Sequence, residues 1–185
     1  MAEQLDKELV EQVLAGRVEA FNLLVWRWQR SLYNFLYRLS GDREQARDLA
    51  QETFLKAYTR LADLRERGKF SSWLFRIAVN QWRSAKRSRP PEEAWDPVTL
   101  DETEAAGTGA DPVARELRIT VRALIGRLTP EQREVVLLKV YEGFRFEEIA
   151  DILECPVSTV KSRLYAAFDV LRSGLNAKTT HVIRA

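Results

Sequence analysis

The chain has 185 residues, of which 29 are basic and 27 acidic, so its formal net charge at neutral pH is +2. This length allows one medium domain or two small ones, and the single cysteine and single histidine exclude an internal disulfide and a zinc site built within one chain. The start, MAEQLDKELVEQ, is acidic and lacks the apolar core of a secretory signal, and no apolar run is long enough to span a bilayer. We therefore expect a cytoplasmic protein.

The first three predicted helices follow from apolar residues at helical spacing. They cover residues 5–15, 18–39 and 43–67, and Gly16 and Ser40-Gly41 separate them. Asp42, with Gln45 three positions later, has the pattern of a capping box at the start of the third helix. Because no period-two strand pattern is present, residues 1–89 are predicted to form an all-helical bundle.

A basic stretch, Lys69–Arg89, predicts a fourth helix with two different faces. It has six basic residues and no acidic one, and a helix beginning at Ser71 or Ser72 places an apolar set on one side. The other side carries Trp73, Arg76, Asn80, Arg83 and Arg87. Trp can stack on an unpaired base, Asn can bind a base edge and Arg can contact phosphate, so this face suits a nucleic acid. The alternative is a solvated cationic helix whose Trp73 and Trp82 cover the core or a linker.

Residues 90–111 are predicted to be a flexible linker, because they are rich in Pro, Gly and acidic residues and poor in large apolar ones. Seven carboxylates and no basic residue occur between Pro91 and Pro112, beside the purely basic stretch, and this separation is typical of a polyanion-binding surface next to an acidic segment. Fully extended, the linker reaches about 70 Å, or on the order of 20 base pairs of DNA.

Two further helices are predicted after the linker. Asp111-Pro112 is a strong helix start, and the helix it begins ends near Leu128. Thr129-Pro130 repeats that signal, with Gln132 completing a capping box, and the second helix extends to the turn at Glu142-Gly143.

The last part of the chain has the pattern of a helix-turn-helix. A short helix, Phe146–Leu153, is followed by a four-residue turn and by a longer helix, with Ser158 as its N-cap, that runs to about Arg172. The second helix of such a motif enters the major groove, and its groove-facing candidates are Thr159, Lys161, Ser162, Arg163, Tyr165 and Ala166. The alternative is an ordinary helical hairpin with a charged surface. Cys155 is expected to be a small packed residue, and His181 is given no role.

Three sequence motifs in order carry a family resemblance. They are DLAQETF from Asp48 to Phe54, FSSWLFRIAVN from Phe70 to Asn80, and PVSTVKSRL from Pro156 to Leu164. Together they resemble bacterial RNA polymerase sigma factors of the extracytoplasmic-function group of the sigma-70 family. The resemblance covers nearly the whole chain apart from the linker and the tail.

The resemblance implies an all-α fold of two small helical domains joined by a flexible acidic linker. Residues 1–89 would be sigma domain 2, which binds the polymerase clamp and opens the minus-10 element, residues 112–175 would be sigma domain 4, which reads the minus-35 element, and residues 176–185 would be a tail. The implied core-binding residues are Asp48, Gln51, Glu52 and Phe54. The implied minus-10 residues are Lys69, Phe70, Trp73, Arg76, Asn80, Arg83, Lys86 and Arg87, with Lys69 to Asn80 capturing a flipped non-template base and Arg83 to Arg89 following the backbone. The implied minus-35 residues are Ser158, Thr159, Lys161, Ser162, Arg163 and Tyr165.

The same resemblance implies several partners, and at one place the chain differs from the family pattern. The partners are the beta and beta-prime subunits of core RNA polymerase, promoter DNA and an anti-sigma factor, which could hold the protein at the inner membrane face. Related sequences usually carry an Arg-Ala-Arg run where this chain has Ala166-Ala167-Phe168, so weaker or differently specified minus-35 contacts are expected. The acidic linker is a candidate mimic of nucleic acid in cationic polymerase channels.

Other classes of function explain less of the sequence than this interpretation. A helix-turn-helix regulator that binds duplex DNA without opening it explains Phe146–Arg172 but leaves the Trp-Arg-Asn face unused. An adaptor that binds only protein predicts no salt-dependent DNA affinity. An enzyme is not expected, and no cofactor is expected, because the sequence has no glycine-rich phosphate loop and no set of catalytic or metal-binding residues.

Overall fold

The computed structural model describes residues 2–88 and 112–182, with side chains described over 4–88 and 119–176. Within these ranges the chain is helical, without a strand. The helices are α1 (Ala2–Leu14), α2 (Glu19–Ser40), α3 (Arg43–Thr59), α4 (Phe70–Arg87), α5 (Pro112–Gly126), α6 (Pro130–Val136), α7 (Phe146–Leu153) and α8 (Val157–Val182). The prediction of an all-helical chain is confirmed. The predicted linker, the Asp111 cap and the side chains of Arg89 and His181 lie outside the described residues.

Two predicted helix starts, after Asp42 and after Thr129, are confirmed by their caps. The Asp42 side chain accepts the backbone N–H of Gln45 at 3.1 Å, and Gly41 ends α2 with a φ of 77°, which a residue without Cβ adopts at no steric cost. Thr129 and Gln132 form the full capping box before α6, with Pro130 at the first helical position.

The predicted end of α3 near Arg67 is wrong, because the helix stops at Thr59. The Thr59 hydroxyl donates to the Lys56 carbonyl at 3.1 Å, and the chain continues as two short 3₁₀ turns, Leu61–Asp63 and Arg67–Lys69. Leu61 and Leu64 are both buried. Because residues three apart share a face in a 3₁₀ turn as well as in an α-helix, their spacing did not distinguish the two.

The bounds of α7 are as predicted, whereas those of α6 and α8 differ from the prediction. The helix that begins at Pro130 changes at Leu137 to a π-helical stretch, Leu137–Tyr141, in which the Glu142 N–H donates to the Leu137 carbonyl at 3.1 Å. Ser158 is not an N-cap, because α8 begins one residue before it. The predicted end of α8 near Arg172 is also wrong, and the helix continues through the predicted tail to Val182.

Close packing of α5 against α8 accounts for part of this extension. Gly174 lies beside the buried Leu124 side chain, and a Cβ at Gly174 would collide with it. The small residue therefore lets the two helices approach beyond the predicted end of α8.

The amino-terminal half is tied together around a buried carboxylate. Asp6 of α1 is buried, its Oδ1 lies 3.0 Å from Arg27 Nε, and its Oδ2 accepts the indole N–H of Trp28 at 3.1 Å. The ion pair with Arg27 and the hydrogen bond from Trp28 offset part of the cost of burying this carboxylate. They fix α1 across α2.

The two halves share one hydrophobic core. The Phe75 ring of α4 lies 5.1 Å from the rings of both Phe35 in α2 and Phe144 in the loop before α7, and Trp28 adds a third edge-on contact at 6.2 Å. Buried residues of both halves belong to one continuous cluster. No sequence pattern indicated this packing, which we call the closed arrangement.

Candidate nucleic-acid and polymerase interfaces

The predicted minus-10 residues lie along α4 and in the turn before it. Lys69, Asn80, Lys86 and Arg87 are exposed, and Arg76 and Arg83 are half-buried. The α4 geometry thus brings amide and cationic groups together at one surface, as the three-four spacing predicted. Phe70 and Trp73, in contrast, are buried.

Trp73 is only 9% exposed, and it packs near Phe70 with 6.2 Å between the ring centroids. Trp82 is buried as well, with the Lys86 ammonium 5.3 Å from its ring centroid. In the closed arrangement both tryptophans therefore cover the core, as the alternative interpretation expected. Little of the Trp73 ring is therefore open to stacking by a base in this position.

Two clefts lie beside the contact between α4 and the first helix of the helix-turn-helix. The larger, of about 580 Å³, has Trp73, Arg76 and Lys69 on one side and Ala150, Asp151 and Glu154 of the second half on the other. The smaller, of about 280 Å³, is lined by Lys56, Arg60, Trp73, Arg76, Ile77, Asn80 and Glu154. Cationic groups of one half thus face carboxylates of the other.

Lys56 and Arg60 were not among the predicted minus-10 residues, although they share the smaller cleft with Asn80. Their signal was present in the sequence, since both are basic and four apart on one helical face. The sequence could not show that the end of α3 lies against α4.

Acidic groups surround Lys69, the first residue of the basic stretch. Its ammonium lies 3.0 Å from Glu66, and this hydrogen bond, together with the Glu66 charge, raises the pKa of Lys69. The charges of Asp151 and Glu148 in α7 add to the rise. The lysine therefore stays protonated and is paired with a carboxylate in the closed arrangement.

Arg83 makes a bidentate contact between the two halves. Its Nε and Nη2 donate to the two carboxylate oxygens of Glu134 at 2.9 and 2.6 Å, a bidentate geometry. This hydrogen bonding raises the pKa of Arg83. Glu134 is 1% exposed, so a predicted DNA-contacting arginine is here paired with a buried carboxylate of α6.

The predicted polymerase-binding residues lie on the outer face of α3. Asp48, Gln51 and Glu52 are exposed, and Phe54 is half-buried. Gln51 and Phe54 line a groove of about 420 Å³ between α2 and α3, together with Val25, Gln29, Arg30, Tyr33, Arg47 and Ala50. Trp26, which the sequence reasoning did not single out, is 76% exposed and precedes Gln29 and Arg30 by three and four positions on α2.

The helix-turn-helix is formed by α7, its turn and α8. Glu154 ends α7 in the left-handed conformation, with φ 55° and ψ 46°, and its N–H donates to the Ala150 carbonyl. Cys155 is a half-buried residue packed against the core, as predicted. The turn also directs Glu154 into both clefts beside Trp73.

The predicted minus-35 residues lie along the first three turns of α8. Ser158, Lys161, Ser162 and Tyr165 are exposed, and Thr159 and Arg163 are half-buried. Arg163 Nη1 lies 3.9 Å from the Cys155 sulfur, and the Lys161 ammonium lies 5.4 Å from the Phe146 ring centroid. These contacts hold both cations near the start of the recognition helix, the part of such a helix that reaches base edges.

Within the described residues, no group of acidic, histidine and cysteine side chains is arranged to hold a metal ion. No helix of the described part is long and apolar enough to cross a bilayer.

Comparison with known proteins places both halves in one family. Residues 24–90 match Sigma-70 region 2, and residues 118–169 match Sigma-70, region 4. The chain is 36% identical over 197 residues to the ECF RNA polymerase sigma-E factor of Escherichia coli strain K12, with 100% of both chains covered.

Two solved structures are similar. CnrH, in complex with the cytosolic domain of CnrY, is 26% identical with a TM-score of 0.71, covering 94% of this chain and 98% of CnrH. The sigma factor RpoE of Bartonella quintana, in complex with the anti-sigma factor NepR, is 24% identical with a TM-score of 0.67, covering 84% and 96% of the two chains, and shows a shared fold. The match to region 2 covers the amino-terminal half, which would have no role in a simple helix-turn-helix regulator. The chain belongs to the extracytoplasmic-function group of the sigma-70 family, and it is therefore not an enzyme but an initiation factor that binds core RNA polymerase and promoter DNA.

Proposed function

We propose that residues 1–89 bind the polymerase clamp and open the minus-10 element, that 90–111 link the two domains, and that 112–175 read the minus-35 element. The observation that carries the minus-10 assignment is the row of Arg76, Asn80, Lys86 and Arg87 along α4, with Lys56 and Arg60 beside it. Amide and guanidinium groups on one rigid helix suit a displaced strand, because they contact phosphates and base edges together.

Trp73 has a role in this proposal only after the two halves separate. Stacking of a base on an aromatic side chain is worth about 1–3 kcal/mol, whereas each DNA step lost on opening costs about 1.4 kcal/mol. Trp73 and its neighbours can therefore stabilise one or two unstacked bases and not a whole bubble. Binding energy from the polymerase supplies the rest, and the sigma residues determine where opening starts.

The polymerase-binding surface is proposed to be the outer face of α3 with its groove toward α2. Asp48, Gln51 and Glu52 offer charged and polar contacts, and Phe54 contributes an apolar one. We add Trp26 to this surface, because an exposed tryptophan beside a groove is a typical anchor residue of an interface.

The minus-35 assignment rests on the exposed start of α8. Ser158, Thr159, Lys161, Ser162, Arg163 and Tyr165 are the residues we assign to the duplex. Phe168, one of the three residues that stand in place of the usual Arg-Ala-Arg run, is also partly exposed. An aromatic group there offers an apolar contact in place of a cation, which fits thymine methyl groups better than phosphates.

An anti-sigma factor is the remaining proposed partner. CnrH was solved with the cytosolic domain of CnrY and the Bartonella RpoE with the anti-sigma factor NepR, and a partner of this kind is proposed for this chain. The protein is proposed to act in the cytoplasm, where such a partner would hold it at the inner membrane face until a signal releases it.

A reconstituted transcription assay tests the proposal. Purified protein is mixed with core polymerase and genomic fragments, and footprinting locates the promoter while permanganate detects unpaired thymines. We expect promoter-specific transcripts, two protected elements and opening near the downstream one. Core polymerase alone is the control, and specific DNA protection without opening or transcripts would contradict the assignment of the minus-10 surface.

A further inference from the structure

We propose that Asp6 is a positioning residue for strand capture, because it fixes α1 as a brace behind the turn Arg67–Lys69 and the start of α4. This inference rests on the proposed minus-10 assignment, which places Lys69 and Trp73 at the captured strand. Asp6 itself touches no DNA in this proposal and acts through the elements that α1 supports.

The start of α4 depends on support from elsewhere in the fold. It follows the 3₁₀ turn Arg67–Lys69, and the Lys69 side chain makes no cap hydrogen bond to α4. Short 3₁₀ turns have poorer hydrogen-bond geometry than an α-helix, and in this one the Lys69 N–H donates to the Glu66 carbonyl at 2.9 Å. The position of Lys69 and of the first turn of α4 is therefore determined mainly by what the 3₁₀ turn packs against.

Helix α1 provides that packing. It lies against both Arg67–Lys69 and α4. Its Leu9 and Val10 are buried in the same hydrophobic cluster as Leu64 and Phe70, which precede and follow the turn. Apolar contacts are not directional, so they hold α1 in the core without fixing its rotation or its height along the turn.

Asp6 supplies the missing direction. It lies three and four positions before Leu9 and Val10, on the same face of α1, and it is 2% exposed. Its two oxygens face different partners on α2, Arg27 Nε at 3.0 Å and the indole nitrogen of Trp28 at 3.1 Å. These two contacts restrict α1 to one orientation. A buried ion pair adds little net stability but can specify a register, and this is the role that we assign to Asp6.

A second series of contacts leads from Asp6 to the middle of α4. The Trp28 ring lies 6.2 Å from the Phe75 ring, edge-on, and the buried Phe75 directly precedes Arg76 in the chain. The Arg27 guanidinium lies 5.9 Å from the Trp28 ring centroid, so both partners of Asp6 also contact each other. Loss of Asp6 therefore loosens α4 behind the row of proposed strand contacts as well as at its start.

The experiment compares the full-length wild type with Asp6→Ala, Asp6→Asn and the control Ala46→Gly. Ala46 is buried in α3, outside α1 and the turn, and glycine in a helix interior lowers stability without removing a contact of Asp6. Urea unfolding ranks the stabilities, and the other measurements are made where every variant is folded. Hydrogen exchange in the free proteins measures protection of the Lys69 N–H. Permanganate measures opening of the footprinted promoter by the holoenzyme, and anisotropy measures affinity for core polymerase and for a minus-35 duplex.

We expect Asp6→Ala to speed exchange at Lys69 and to reduce the open fraction of the promoter by about 2- to 30-fold, the range for residues coupled to a site through packing. Affinities for core polymerase and for the duplex should be unchanged, because those surfaces are proposed to lie on the outer face of α3 and on α8. Asp6→Asn keeps an oxygen for the Trp28 N–H and loses only the charge beside Arg27, so both of its effects should be smaller. Ala46→Gly should lower the urea midpoint and leave exchange at Lys69 and promoter opening unchanged.

If Asp6→Ala does not fold, Trp28→Phe continues the test together with Asp6→Asn, because it keeps a ring beside Phe75 but lacks the N–H. Both should then show the smaller effects. Unchanged exchange at Lys69, or faster exchange without loss of opening, would overturn the proposed role of Asp6. Losses of opening no larger than that of Ala46→Gly at the same urea midpoint would also overturn it.

The two proposals fail in different ways. Failure of the wild type to open a promoter would remove the proposed function, whereas failure of the brace leaves opening by the wild type intact. Hydrogen exchange needs neither polymerase nor promoter, so it shows in either case whether Asp6 holds the turn before α4.

Discussion

Replacing Arg133 by methionine should destabilise the protein strongly, because this buried arginine joins three parts of the structure. Its guanidinium donates to the carbonyls of Leu39, Ile125, Gly126 and Leu128 at distances from 3.0 to 3.3 Å. Burial lowers the pKa of Arg133, so desolvation of the charge is already a cost in the folded state. The hydrogen bonds to carbonyl dipoles at the ends of α2 and α5 offset that cost.

The size of the destabilisation by Arg133→Met follows from the number of backbone carbonyls that lose a hydrogen-bond donor. The Ile125 carbonyl also accepts the Leu128 N–H at 3.2 Å, so we count three carbonyls. At about 1 kcal/mol each, the low end for a buried acceptor left without its donor, the loss is about 3 kcal/mol. With a urea dependence of about 2 kcal/mol per M for a chain of this size, the unfolding midpoint should fall by about 1.5 M.

Urea unfolding followed by circular dichroism and by tryptophan fluorescence measures this shift. Arg127→Met is the matched control, because Arg127 is exposed and its replacement should change stability by less than about 0.5 kcal/mol. Since both halves share one core, the two probes should report a single transition. Equal midpoints for Arg133→Met and Arg127→Met would refute the reasoning.

Three further outcomes are expected. Trp73→Ala in the holoenzyme should reduce permanganate-detected opening more than duplex binding, whereas Trp73→Phe should keep most of both; equal losses would count against stacking. Arg163→Ala should weaken binding of a minus-35 duplex by about 1–3 kcal/mol if it makes a bidentate base contact, as measured by anisotropy, and an unchanged affinity would move it off the interface. Burial raises the pKa of Glu142, despite its bond from Ser31 and the charge of Arg38, so stability should fall as pH rises through that raised pKa. Glu142→Gln should remove this fall and raise the urea midpoint at pH values above the raised pKa but not at pH values below the ordinary carboxyl pKa, and an unchanged pH profile would show that the carboxyl is not desolvated.

Local signals predicted the helices well, because their causes are local. The Asp42 cap, the Gly41 stop and the Thr129 capping box are each determined by a few neighbouring residues, and the structure has all three. Where the pattern was compatible with two geometries, as for Leu61 and Leu64 after α3, the bounds were wrong.

The contacts between the halves could not be predicted, because they join residues far apart in the chain. Arg83 was assigned to DNA because it is basic and on the right face, and nothing near it in sequence indicated that Glu134 would bind it. Trp73 was likewise placed on the exposed face by helical spacing, but α7 lies against that face and both clefts border it. Helical periodicity identifies a face, whereas its partner is determined by tertiary packing.

Energetic balance explains why such a closed form can exist in a protein that must open. A buried ion pair gains little net stability, because desolvation of both groups offsets most of their attraction. The edge-on contact of Phe75 and Phe144 adds about 0.5–1.5 kcal/mol beyond the area it buries. If Arg83 contacts the DNA backbone as proposed, a phosphate would replace Glu134 there, and the guanidinium would keep a forked anionic ligand in both states. Exchanging Glu134 for a phosphate at Arg83 therefore costs little free energy when DNA is present. Breaking the pair without DNA costs much more, because Glu134 would then lose its only bidentate partner in the described structure. This difference is what would make separation of the halves depend on the strand that α4 is proposed to capture.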